Sequence, residues 1–132
     1  MDSSRVAIEI LRQRSAEQGV IIESHVADLE CREFSIEPNS YDLIVICNYL
    51  QRDLFAPIKA GIREGGTALI VIPMVDDDPN IKAMNPAYLL GPGELRSEFE
   101  GWQLVHYCES RRAAGRRTTA EMVARRRFGQ DP

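Results

Sequence analysis

Three polar side chains stand where apolar runs of this sequence end. Asp28 follows the β-branched run Val20 to Val26, and Asn48 and Arg52 follow the run Leu43 to Cys47. In open α/β sheets, ligands gather at the carboxyl ends of the strands, so all three are placed to meet one. Arg52 can hold an anionic acceptor or a carboxylate through a forked contact. Its neighbour Gln51 offers an amide, which cannot take a proton near neutral pH as an imidazole can.

Other chemistry-bearing residues read more plainly. Asp76, Asp77 and Asp78 before Pro79 form a solvated turn by composition, and His25 and His106 have no partners at ligand spacing, so no metal site is expected. Cys31, Cys47 and Cys108 are odd in number and widely spaced, which suggests neither a disulfide framework nor a zinc knuckle. They are expected as reduced thiols, with Cys47 a small core residue.

The 132 residues make one domain's worth of chain, short for a complete doubly wound enzyme. The longest apolar runs, Leu43 to Cys47 and Ala68 to Ile72, are too short to span a bilayer, and Met1 is followed by no basic start or apolar signal core. A cytoplasmic protein without a membrane segment is expected. Residues 1–110 carry 9 basic against 18 acidic side chains, whereas residues 111–132 carry 7 arginines against 2 acids. Arg111, Arg112, Arg116 and Arg117 flank Ala113-Ala114-Gly115 with no aromatic residue among them. That pattern suits a solvated hairpin tip; the stacking half of a surface for single-stranded nucleic acid is missing, which argues against nucleic acid as a partner.

The elements that must position these residues follow from periodicity and punctuation. Ser4 can cap a helix from Arg5 to Gln18, with Gly19 just past its end. Val20 to Val26 predicts a strand, and Leu43 to Cys47 predicts a parallel strand covered on both faces, central in the sheet. Asp53 can cap a second helix bearing Leu54, Phe55, Ile58 and Ile62, which Gly65-Gly66 closes before a strand Thr67 to Ile72. This strand-helix-strand unit predicts a right-handed parallel crossover. Pro92 opens a short helix with Leu95 and Phe99, and Trp102 to Tyr107 pairs with Thr118 to Val123 as an antiparallel hairpin.

The order of these elements, and several short strings, resemble class I S-adenosylmethionine-dependent methyltransferases, in particular the small tellurite-resistance-like group. The resemblance runs from Asp2 to about Phe128 through Asp2-Ser3-Ser4-Arg5-Val6-Ala7-Ile8, Ala27-Asp28-Leu29, Asn48-Tyr49-Leu50-Gln51-Arg52 and Gly65-Gly66. Asn85-Pro86-Ala87-Tyr88-Leu89-Leu90-Gly91-Pro92-Gly93-Glu94-Leu95 is the most specific of them. It implies an α/β fold: an incomplete Rossmann-like methyltransferase sheet of parallel strands with a C-terminal antiparallel hairpin, in one N-terminally truncated domain spanning residues 1–132. It also implies S-adenosylmethionine as cofactor, with Asp2 on the ribose hydroxyls, Asp28 at the adenine amino group, Leu29 beside the adenine ring and Asn48 near the methionine part. Arg52 would be the catalytic-end residue. Tyr49 and Tyr88 are either packing residues or contacts to the methyl acceptor, Asp2 is either a capping residue or the ribose acid, and Asp28 is either a loop cap or the adenine acid.

Two departures from the family matter. Relatives carry histidine where Gln51 stands, and no strand with a Gly-x-Gly turn precedes the first helix here. The family's sheet runs 3-2-1-4-5-7-6, so removing its first two strands opens two interior edges whose unpaired groups cost about 1–3 kcal/mol each if buried. Either Val20 to Val26 moves across to pair with Leu43 to Asn48, or a second chain fills the gap, or further sequence lies upstream. Two functions stay open. One is transfer of a methyl group to a small nucleophilic acceptor, weak or absent in this chain alone; the other is a non-catalytic interaction module that homodimerises through its strand edges.

Overall fold

A computed structural model describes residues 1–31, 33–77, 84–111 and 118–129. The arginine-rich tip at 112–117, and Asp78 with Pro79, lie outside the described residues. The chain forms two compact units, Met1–Ser35 and Ile36–Pro132.

In the N-terminal unit, helix α1 spans Arg5–Gln18 as its caps predict. The Ser4 hydroxyl accepts the Ala7 N–H at 3.2 Å, and Gly19 closes the helix in the left-handed region at φ 65°. Val20 to Val26 is not a strand of any sheet among the described residues, contrary to the sequence expectation. Its pairing is one parallel bridge, Asp2 to Val26. A β-branched run becomes a strand only where a neighbour supplies a ladder of donors and acceptors, and here a single residue lies alongside. Ile21 is accordingly fully exposed.

The C-terminal unit is built on a four-stranded sheet of order β1-β2-β4-β3, with β1 at Tyr41–Cys47, β2 at Ile62–Pro73, β3 at Gln103–Arg111 and β4 at Thr118–Arg125. β1 and β2 are parallel, with Leu43 opposite Thr67 and Cys47 opposite Val71. β4 lies antiparallel to β2 on one side and to β3 on the other. The predicted parallel crossover and terminal hairpin are both present. Helix α2, Phe55–Gly61, makes the crossover after a 3₁₀ turn at Arg52–Leu54. Asp53 sits inside that turn instead of capping the helix, and Pro57 is accommodated in the first turn of α2, where no N–H partner is lost.

Two further expectations are corrected. β1 is an edge strand, not a central one: β2 is its strand neighbour, and Leu43, Val45 and Cys47 are exposed while Ile44 and Ile46 turn toward the core. A continuous apolar run therefore conceals a one-sided strand, because side chains alternate faces whatever their type. Cys47 falls on the outer face, so it is not the core residue its neighbours suggest. β2 begins at Ile62 instead of Thr67 and carries Gly65-Gly66 within it. The pairing with β1 shifts register there, and Gly65 takes φ 77°. Any Cβ at Gly66 would meet the carbonyl oxygens of Arg63 at 2.9 Å and Asp42 at 3.0 Å, so this approach of the two strands needs glycine.

The core lies on one face of the sheet. Ala68, Ile70 and Ile72 of β2 and Ala120, Met122 and Ala124 of β4 pack with Phe55 and Ile58 of α2, with Leu95 of helix α3 (Glu94–Glu98), and with Phe99 and Trp102. This arrangement fixes the carboxyl ends of β1 and β2, from which the candidate residues emerge.

Candidate functional site

In the N-terminal unit the bridge runs the backbone of Asp2 beside Val26. Asp2 donates its N–H to the His25 carbonyl at 3.2 Å and accepts the Ala27 N–H at 3.1 Å, which sets Asp2 alongside the chain immediately before Asp28. Asp2 Oδ1 also accepts the Ser4 N–H at 2.8 Å, so the carboxylate orders the start of α1. Asp28 builds its own turn: Oδ1 accepts the Glu30 N–H at 2.9 Å, Oδ2 faces the Cys31 thiol at 3.6 Å, and the Asp28 N–H reaches Glu33 at 2.8 Å. The carboxylate of Asp28 holds the exposed Cys31 thiol above its usual range, by charge and by the hydrogen bond. Leu29 is half-buried next to it. Each carboxylate has lone pairs beyond those used within the turn. What they offer a ligand is therefore acceptors for hydroxyl or amino donors.

In the C-terminal unit, Asn48 ends β1 in the left-handed region at φ 56°, with its N–H on the Val71 carbonyl at 2.8 Å. Asparagine tolerates that conformation better than most residues, and such positions cluster at ligand sites. Its side chain is exposed. Tyr49 donates its hydroxyl to Gln51 Oε1 at 2.7 Å, and Leu50 is buried in the core.

Arg52 is the most heavily engaged polar side chain here. Nε donates to Glu94 Oε1 at 2.6 Å and Nη2 to Glu94 Oε2 at 3.0 Å; Nη1 reaches the Ala87 carbonyl at 2.8 Å and Nη2 the Leu89 carbonyl at 3.0 Å. The hydrogen bond from Arg52 holds the Glu94 carboxyl below its usual range against the opposing effect of burial. Glu94 Oε2 also accepts the Gly91 N–H at 2.8 Å. Glu109 accepts the Gly93 N–H at 2.7 Å and the Tyr107 hydroxyl, and burial together with that carboxylate pushes the Tyr107 phenol up to about 12.

The segment so held carries Tyr88, which is exposed between Ala87 and the buried Leu89. Leu90 stitches it to the end of β2: its N–H reaches the Pro73 carbonyl and its carbonyl accepts the Val75 N–H, both at 3.0 Å. Thr118 at the start of β4 donates its hydroxyl to Asp76 beyond β2. Arg52, Tyr88 and the ends of β1 and β2 are thus tied into one constellation. Glu94 and Glu109 were not given a role from the sequence, and Asp76 was read there only as part of a solvated turn. Glu94 lay within the Gly-Pro-Gly-Glu-Leu string, but a partner of Arg52 so far along the chain leaves no local signal. Among the described residues no group of three His, Cys, Asp or Glu side chains is arranged to hold a metal, and no helix is long and apolar enough to cross a membrane.

No protein-family model and no curated protein matches the sequence. Solved structures do. TehB from Haemophilus influenzae is similar over 95% of this chain, with a TM-score of 0.73 at 22% identity. A structure solved for the conversion of a disulfide bond into a thioacetal group during echinomycin biosynthesis is similar over 96% of the chain, with a TM-score of 0.62 at 17% identity and 66% of its own length covered. The S-adenosylmethionine-dependent methyltransferase SibL, in its apo form, is similar over 96% of the chain, with a TM-score of 0.56 at 19% identity. The chain spans about half the length of these neighbours in two of the three cases, 48% of TehB and 42% of SibL.

Proposed function

From the partial class I S-adenosylmethionine-dependent methyltransferase fold of this chain, we propose that it is a methyltransferase-family domain that moves a methyl group from S-adenosylmethionine to a small nucleophilic acceptor. The bridge between Asp2 and Val26 supports this reading, because it sets Asp2 beside the chain two residues before Asp28, the two acids that the resemblance assigns to the adenosyl group. In this reading Asp2 takes the ribose hydroxyls, Asp28 the adenine amino group and Leu29 the face of the ring. Asn48 serves the methionine part, and Tyr49 and Tyr88 serve the acceptor. Methyl transfer is an in-line displacement that asks mainly for alignment and exclusion of water, so it is compatible with Gln51 where a base would otherwise stand.

None of the residues assigned in this reading grips the methionine carboxylate, so the 132 residues by themselves are expected to bind the cofactor weakly. Titrating S-adenosylhomocysteine into the chain is expected to shift the amide resonances of Asp28, Leu29 and Asn48 in the millimolar range, with no saturation at micromolar concentration. No response of those amides at millimolar ligand would overturn the assignment, and micromolar saturation would overturn its weakness.

A second reading is favoured by one observation. β1 is an edge strand whose outer face leaves Leu43 and Val45 half exposed, a surface suited to pairing with a second copy as a cytoplasmic homodimer without catalysis. Light scattering at high concentration is expected to report a dimer in that case, and a strict monomer would remove it.

A further inference from the structure

We propose that Arg52 is a positioning residue and not an acceptor-binding one: with Glu94 it forms a clamp that presents Tyr88 to the acceptor. The four hydrogen bonds from its guanidinium go to Glu94 and to the carbonyls of Ala87 and Leu89, the two residues that flank Tyr88. A planar fork spent this way is not available to an incoming anion. The segment does not need Arg52 in order to stay on the sheet, because Leu89 and Leu90 are buried and Leu90 is bonded to Pro73 and Val75. The Arg52 side chain is 45% exposed and that of Glu94 26% exposed, a setting in which an ion pair adds little stability but a bidentate fork still fixes direction. Asn85 secures the approach to Tyr88 by accepting the Ala87 N–H at 3.0 Å, and Glu109 holds Gly93 on the far side. The 3₁₀ turn at Pro86–Tyr88 closes the local backbone, with the Tyr88 N–H on the Asn85 carbonyl and the Leu89 N–H on the Pro86 carbonyl, both at 3.1 Å, so what remains for the clamp to set is the direction in which that turn carries Tyr88.

Lysine keeps the charge of Arg52 but cannot reproduce a planar fork, so Arg52→Lys separates geometry from charge. The chain has four tyrosines, Tyr41, Tyr49, Tyr88 and Tyr107, so labelling with 3-fluorotyrosine gives four fluorine resonances, with Tyr88 assigned through Tyr88→Phe. In R52K the Tyr88 line is expected to shift toward its unfolded position while Tyr41 keeps its own. E94Q, which retains length and one acceptor oxygen, is expected to move the Tyr88 line in the same direction. An unmoved Tyr88 line in both variants would overturn the clamp, and so would collapse of all four lines in R52K, since Arg52 would then hold the fold and not Tyr88. The role of Tyr88 toward an acceptor rests on the methyltransferase reading, and S-adenosylhomocysteine added to the same samples keeps the two apart. A shifted Tyr88 line with no cofactor response supports the clamp and overturns that reading; a cofactor response with an unmoved Tyr88 line overturns the clamp alone.

Discussion

Phe99→Ala is expected to cost about 3–5 kcal/mol of folding stability, the range for removing a buried aromatic ring from a core that relaxes only in part. Phe99 is 1% exposed and sits at the centre of an aromatic row. Its ring meets Phe55 edge-on at 6.1 Å between centroids and Trp102 edge-on at 5.3 Å, and the Lys59 ammonium lies 5.8 Å from its centroid. Edge-to-face geometry adds attraction beyond area burial, so both neighbours lose a partner along with the packing. The ring also joins three elements at once: Phe55 begins α2, Phe99 follows α3, and Trp102 precedes β3. Urea denaturation of the variant should show a lower midpoint with an unchanged slope. A loss below about 1 kcal/mol would mean that the core does not rest on this ring. Since α3 begins with Glu94, a loosened Phe99 should also broaden the Tyr88 resonance, linking core packing to the candidate site.

Much of this architecture was legible because it is written in local signals. Ser4 and Gly19 bracket α1, and the strand-helix-strand unit and the terminal hairpin follow from periodicity and turn residues. The failures share one physical origin: a strand is defined by its neighbours. Among the described residues, Val20 to Val26 has strand composition but pairs only with Asp2, and Leu43 to Cys47 has the composition of a central strand but lies at an edge. Gly65-Gly66 was read as punctuation because glycine commonly ends helices, yet here it lets β2 pass close to Asp42 while the register shifts. The candidate site shows the same division. Asp28, Asn48 and Arg52 were visible as polar residues following apolar runs. The engagement of Arg52 by Glu94 was not, since a forked pair depends on how the segment after β2 folds back.

Arg126→Ala is expected to cost roughly 3 kcal/mol, because it removes charge-assisted hydrogen bonds from a buried site and leaves their acceptors behind. Arg126 follows β4 and is 6% exposed, the one charged side chain among the buried described residues. Its Nη1 donates to the Ile62 carbonyl at 2.6 Å and to Asn39 Oδ1 at 2.9 Å. The backbone there is equally committed: the Arg126 N–H reaches the Gly66 carbonyl at 2.9 Å, and its carbonyl accepts the Gly65 N–H at 3.0 Å. One residue thus ties the start of β2, the turn before β1 and the end of β4. Deleting the side chain leaves the carbonyl of the fully buried Ile62 short of a donor, a larger penalty than that bond's net worth, whereas the exposed Asn39 can turn its amide oxygen to water. Arg126→Met keeps most of the aliphatic stem and none of the donors, so its loss should fall below that of the alanine variant by the packing contribution alone. Equal stability of the wild type and both variants in urea would show that the Ile62 carbonyl finds water when Arg126 leaves, and that the start of β2 is open where the structure has it closed.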